Sequence, residues 1–135
     1  MDTAANKELI RQAFERWTNG QGNFFRLLAD DATWTITGSS SVAGTYGSRE
    51  EFLAKAIAPI SARLATPIRP AVESIVADGD MVVVVWKGHA TAHDGAAYDN
   101  HYAWCLRLAG EKIVEVTAFL DAKALDELLA REPGG

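Results

Sequence analysis

One cysteine, four prolines and the lack of any long apolar run bound this chain of 135 residues before any motif does. The single Cys105 excludes an internal disulfide framework. Its place within Tyr102-Ala103-Trp104-Cys105-Leu106 reads as a packed thiol and fits a reducing cytoplasm. No stretch approaches the ~18 apolar residues that span a bilayer. The opening Met1-Asp2-Thr3-Ala4-Ala5-Asn6 has no basic segment followed by an apolar one, so a cytoplasmic protein that is neither exported nor membrane-embedded is expected. Cations are scarce as well: 13 Lys and Arg against 18 Asp and Glu give a formal charge of -5 and argue against a nucleic-acid partner, since phosphates are held by clustered cations. No glycine-rich phosphate loop, nucleophile elbow or Cys-His pairing occurs.

What is present is apolar: 48% hydrophobic residues with four tryptophans supply both a core and the lining of a cavity. The length fits one domain over residues 1–135, able to bury roughly two-thirds of its unfolded surface. Leu9, Ile10, Ala13, Phe14 and Trp17 recur at helical spacing, and Asn19-Gly20 ends that first helix. Phe24, Phe25, Leu27 and Leu28 predict a short second helix, followed by a strand through Ala32 to Ile36. Ser48 with Glu51 caps a third helix, which Pro59 kinks. From Ile68 onward long strands alternate with turns at Asp78-Gly79-Asp80, Asp94-Gly95 and Gly110, an antiparallel meander. Ala122 to Ala130 form a closing helix.

A two-residue turn at Asp94-Gly95 sets His93 opposite Ala96, and thence His89 opposite Asn100, Lys87 opposite Tyr102 and Val85 opposite Trp104, all on one face. Val84, Trp86, Gly88 and Ala90 then share the other face with Asp99, His101, Ala103 and Cys105. Because Met81 to Trp86 is apolar on both sides, a homodimer through the face bearing Val82, Val84 and Trp86 is expected. In the last strand either Val114, Val116, Ala118 and Leu120 point inward, or Ile113, Glu115, Thr117, Phe119 and Asp121 do. The apolar set is favoured, because an unpaired buried Glu115 costs several kcal/mol. Asp121 then caps the final helix.

Four segments, Leu28-Ala29-Asp30-Asp31-Ala32-Thr33-Trp34, Ala43-Gly44-Thr45-Tyr46-Gly47-Ser48-Arg49-Glu50, Tyr98-Asp99-Asn100-His101-Tyr102 and Lys112-Ile113-Val114-Glu115-Val116 running to Asp121, occur in that order. In them the chain resembles the SnoaL-like, ketosteroid-isomerase-like branch of the nuclear-transport-factor-2-like superfamily. The resemblance implies an α+β fold, a cone of curved antiparallel sheet closed by N-terminal helices, with a C-terminal helix. It also implies isomerase, hydrolase, cyclase or non-catalytic use of the cone. The base and acid positions of ketosteroid isomerases fall here on Ile36 and Trp104, and the first helix offers Phe14 in place of a tyrosine. The positions that limonene-type epoxide hydrolases use fall on Ala118, Ile36, Trp34, Val85 and Lys87. The aspartate of polyketide cyclases has its nearest counterpart in Asp121, in the unfavoured register only.

His89 beside Asn100 suits a general base oriented by an amide, or a satisfied histidine at the cone's mouth. Lys87 beside Tyr102 suits an anion-binding or nucleophilic amine, or a lysine reaching the rim. Phe14, Trp17, Trp34, Tyr46 and Trp104 are candidates to line a pocket for a small apolar organic ligand, or else to be core. His89 and His93 lie about 13 Å apart along a strand with His101 facing away, so no metal is expected, and no cofactor. Three readings follow: proton-transfer chemistry on an apolar carbonyl compound with His89, Lys87, Tyr102 and Asn100; a non-catalytic small-ligand binder; and a hydrolase with Asp121 as base.

Overall fold

A computed structural model describes residues 2–134. Helix α1 (Thr3–Thr18) starts where the Asp2 carboxylate accepts from Ala5 N and ends at Asn19. A 3-10 turn, Phe24–Leu27, leads into β1 (Leu28–Ile36), longer at its start than the periodicity predicts. The brief β2 (Gly44–Tyr46) precedes α2 (Arg49–Phe52), whose first turn is capped by Ser48 Oγ accepting from Glu51 N. The helix then widens into a π turn, Leu53–Ile57, and resumes as α3 (Ala58–Ala62), with Pro59 at its start. The proline has no N–H to donate back, so the helical ladder slips there instead of stopping.

Strands β3 (Arg69–Asp78), β4 (Met81–Thr91), β5 (Ala97–Ala109) and β6 (Lys112–Phe119) form the meander, and α4 (Ala122–Leu129) closes the chain. The sheet order is β2-β1-β6-β5-β4-β3. All pairings are antiparallel except β1 with β6, which is parallel and sets the first strand between the edge strand β2 and β6.

The register around Asp94 differs from the two-residue expectation. Ala92 N donates to Ala96 O and Gly95 N to Ala92 O, so the loop has three residues, His93-Asp94-Gly95, with Gly95 at φ 87°. That positive φ is the left-handed position that a type I turn with a following bulge demands. Asp94 holds the turn by accepting from Ala96 N. His89 therefore pairs with Asp99, Lys87 with His101, Trp86 with Tyr102 and Val84 with Trp104. One extra loop residue turns every β4 side chain to the other face relative to β5.

The concave face carries Val82, Val84, Trp86 and Ala90 with Tyr98, Asn100, Tyr102, Trp104 and Leu106, all buried, under α1 and the α2–α3 segment. The surface expected to hold a second subunit is thus the core: Val82, Val84 and Trp86 are buried within a single chain. On the convex face Val76 and Phe119 are exposed, with Val83, Val85, Ala103 and Cys105 half-buried between them. In β6 the favoured register holds for Val116, Ala118 and Leu120. A bulge opposite Arg107 and Leu108 displaces Val114 and buries Ile113 in its stead. Glu115 faces out beside Arg107.

Candidate functional site

Between the concave face and the helices lies a cavity of about 620 Å³. Its wall is aromatic because β1, β4 and β5 each direct alternate residues inward at the same level. Trp34, Trp86, Tyr102 and Trp104 meet there, with Trp17 from α1, Phe24 and Phe25 from the 3-10 turn and Phe52 from α2. Trp34 stacks on Phe52 and Trp86 on Tyr102, both with centroids 4.1 Å apart. Ile57, Ile60, Leu64, Ile68, Leu120 and Leu125 complete the apolar lining. Trp17 is held in place by donation from Nε1 to Ile68 O at 3.0 Å. Apart from the two tyrosines, the lining residues carry no group that titrates: no Asp, Glu, His, Lys, Arg or Cys is among them.

Two lining tyrosines, Tyr98 and Tyr102, are hydrogen-bonded to each other and backed by Asn100, which is outside the lining. The Tyr98 and Tyr102 hydroxyls are 3.0 Å apart, and Asn100 Nδ2 donates to the Tyr98 oxygen at 2.9 Å. Burial holds both phenols above their ordinary range, Tyr102 well above it. Asn23, Ser61 and Thr66 add polar atoms where the lining is exposed to solvent.

Of the expected site residues, Trp17, Trp34, Trp104 and Tyr102 line this cavity. Phe14 is buried behind it, in ring contact with Trp17, Phe24, Trp86 and Trp104. Tyr46 lies outside the lining and donates its hydroxyl to Val42 O at 2.6 Å. Asn100 is buried but structural: its Oδ1 accepts from His101 N and Asp121 N, and Nδ2 also donates to Asp121 O. His89 and Lys87 are on the convex face, a consequence of the three-residue turn, and do not meet Asn100 and Tyr102. His89 Nδ1 bonds Asp99 at 2.5 Å and Lys87 Nζ lies 3.8 Å from Glu73, which also bonds His101 Nε2, all substantially exposed. Asp121 caps α4, accepting from Lys123 N and Ala124 N, as the favoured register requires, and its carboxylate is not part of the lining.

Phe24, Phe25, Phe52, Trp86 and Tyr98 were not among the expected lining residues. Tyr98 alone carried a signal, the alternation it shares with Asn100, Tyr102 and Trp104. Among the described residues, no group of three or more His, Cys, Asp and Glu is placed to hold a metal, and no helix is long and apolar enough to cross a membrane.

A curved six-stranded sheet cupping a cavity under N-terminal helices is the nuclear-transport-factor-2-like fold, and solved structures share it. A protein of this fold from Burkholderia thailandensis superposes with a TM-score of 0.75 at 18% identity, covering 97% of this chain and 100% of that one. Bal32a, from a soil-derived mobile gene cassette, does so with 0.77 at 17% identity over 96% of this chain and 99% of its own. A protein described as a SnoaL-like polyketide cyclase, from Jannaschia sp. CCS1, gives 0.73 at 16% identity over 97% and 95%. The SnoaL-like domain family matches residues 10–116, and the chain belongs to that family. No curated protein matches it.

Proposed function

We propose that the protein binds a small, largely apolar, ring-containing organic molecule in the cone cavity, as a cytoplasmic carrier or sensor. The observation that carries this reading is the lining itself: a volume of about 620 Å³, within the range of small-molecule sites, walled by aromatic rings and free of carboxylate, imidazole and amine. Isomerisation, dehydration and cyclisation each need a group that takes a proton near neutral pH, and no such side chain lines this cavity.

A second reading is supported by the tyrosine pair: an enzyme of the SnoaL-like type whose contribution to proton-transfer chemistry is hydrogen-bond donation to a substrate carbonyl. The base would then come from the substrate or from water. Saturable binding without turnover selects the first reading over the second. The neutral fluorophore N-phenyl-1-naphthylamine is a suitable probe. Its emission should rise to a plateau on titration with the protein, and His89→Ala should leave the binding curve unchanged. Absence of saturation, or loss of binding in His89→Ala, would remove the reading.

The convex face is proposed to pair with a second copy of the chain. Its apolar centre is flanked by groups of both signs, Lys87 and Arg107 with Glu73, Asp99 and Glu115, which a two-fold axis can match to themselves.

A further inference from the structure

One wall of the cavity is built unlike the rest. The segment that follows the π turn contributes Ile57, Ile60, Ser61 and the run 64–68 to the lining, yet no residue of 57–69 is buried. The other elements around the cavity are anchored by buried side chains, Phe14 in α1, Phe24 in the 3-10 turn, Phe52 in α2 and Leu125 in α4. Most of the lining that meets solvent belongs to the same segment, namely Ser61, Ala65, Thr66 and Pro67, with Gly22 and Asn23 from the loop after α1. Hydrogen bonds hold the segment down at a few points. Arg63 Nη1 donates to Pro59 O at 2.9 Å, and its Nε to Leu129 O at 3.1 Å and Arg131 O at 3.2 Å. Beside it His93 N donates to Arg63 O, Gly134 N to Ala62 O, Ala65 N to Thr91 O and Thr91 N to Thr66 Oγ1. Ile60 and Leu64 add half-buried packing on the cluster around Leu125 and Leu128. At the far end Ile68 sits against Gly88, where a Cβ would stand 2.9 Å from Ile68 Cγ2, and its carbonyl takes the Trp17 Nε1 hydrogen.

We infer that residues 58–68 form a flap through which the ligand enters and leaves, hinged at the π turn and at Ile68 and latched by Arg63. This rests on the ligand-pocket reading above and adds how the pocket is reached. A segment with few buried apolar contacts opens at the lowest free energy, so this wall parts before the others. The first hinge lies where the helical ladder has already slipped: the π turn and Pro59, which has no N–H to donate, leave fewer backbone bonds to break on bending. The second hinge stays seated, because lifting Ile68 out of the Gly88 notch would expose apolar surface and strand the Trp17 donor. Arg63 does not line the cavity and acts as a positioning residue, tying the flap to the backbone after α4. A latch outside the cavity stabilises the closed form with or without ligand. It therefore slows entry and exit by the same factor and leaves the binding equilibrium unchanged.

The test is stopped-flow fluorescence of N-phenyl-1-naphthylamine with the whole chain. Arg63→Ala should raise the association and dissociation rates together, about tenfold, the scale of one or two net hydrogen bonds, and leave Kd within about twofold. A second variant closes the flap instead of loosening it. Leu64 and Ala92 face each other across an antiparallel bridge, a separation that a disulfide spans. Leu64→Cys with Ala92→Cys, made together with Cys105→Ser, should take up and release the probe about tenfold more slowly when oxidised than when reduced, at similar Kd. Without any ligand, hydrogen exchange at Ala65 N and Thr66 N should outpace exchange along β4 and quicken further in Arg63→Ala. Equal rates in the oxidised and reduced forms overturn the flap, and so does exchange at Ala65 N as slow as that of β4. A rise in dissociation alone, with Kd weakened to match, also overturns it, since Arg63 would then act on the bound state only. Failure of the probe to saturate sinks the pocket reading itself, whereas saturation at rates indifferent to both changes sinks only this inference.

Discussion

The indole of Trp34 and the phenyl ring of Phe52 stack in parallel, 4.1 Å apart and 12° from coplanar. The contact fastens α2 to β1 and forms one wall of the cavity, with Arg49 adding a hydrogen bond to Leu28 O and an ion pair to Asp30. Phe52 is 2% exposed. Phe52→Ala should therefore cost about 3–5 kcal/mol, the range for deleting a buried phenyl ring. Urea unfolding followed by tryptophan emission measures this, and a loss below about 1 kcal/mol would show that the stack contributes little.

Asn100 satisfies two backbone amides, one backbone carbonyl and a phenol at once. Asn100→Ala leaves several of these buried and unmatched, at about 1–3 kcal/mol for an unsatisfied group. The expected loss is about 2–4 kcal/mol with the m-value unchanged, and hydrogen exchange at Asp121 N should accelerate more than elsewhere in the sheet.

The phenols of Tyr98 and Tyr102 are held protonated by burial. In the unfolded chain they ionise near pH 10. Because the folded values are raised, their stabilising effect is complete below that pH and is lost as pH rises above it, where the unfolded state sheds protons that the folded state keeps. Stability measured by urea titration should fall between about pH 10 and 12, and the slope should be shallower in Tyr102→Phe. A slope unaffected by both Tyr98→Phe and Tyr102→Phe would assign the alkaline loss to other groups.

The convex face yields an oligomer prediction. If Val76, at 58% exposure, and Phe119, at 48%, are covered by a second chain, sedimentation at micromolar concentration should give twice the chain mass. Val76→Glu with Phe119→Glu should then return the mass of one chain with the circular dichroism unchanged. A single-chain mass for the unaltered protein removes the proposal.

Several features were legible from residue order. Asp121 was expected as a helix cap and is one, because burying Glu115 in the other register had no compensating partner. Tyr102 and Trp104 were expected on one inward face of β5, and period-two alternation alone places them there. The placement of His89 and Lys87 failed for a local reason: Asp94-Gly95 suits a two-residue turn and equally the last two positions of a three-residue turn with a bulge. Val82 to Val85 could not arbitrate, since a strand apolar on both sides fits either face.

The sequence by itself determined which residues alternate together, where helices begin, and that enough aromatic surface exists to wall a hollow; these depend on spacing within about ten residues. Only the tertiary structure decided which side of β4 looks inward, that β1 joins β6 in parallel, and that Tyr98, Asn100 and Tyr102 form one hydrogen-bonded chain beside an uncharged cavity. Those outcomes depend on a single loop residue and on pairing between strands some eighty residues apart, where no local pattern carries the information.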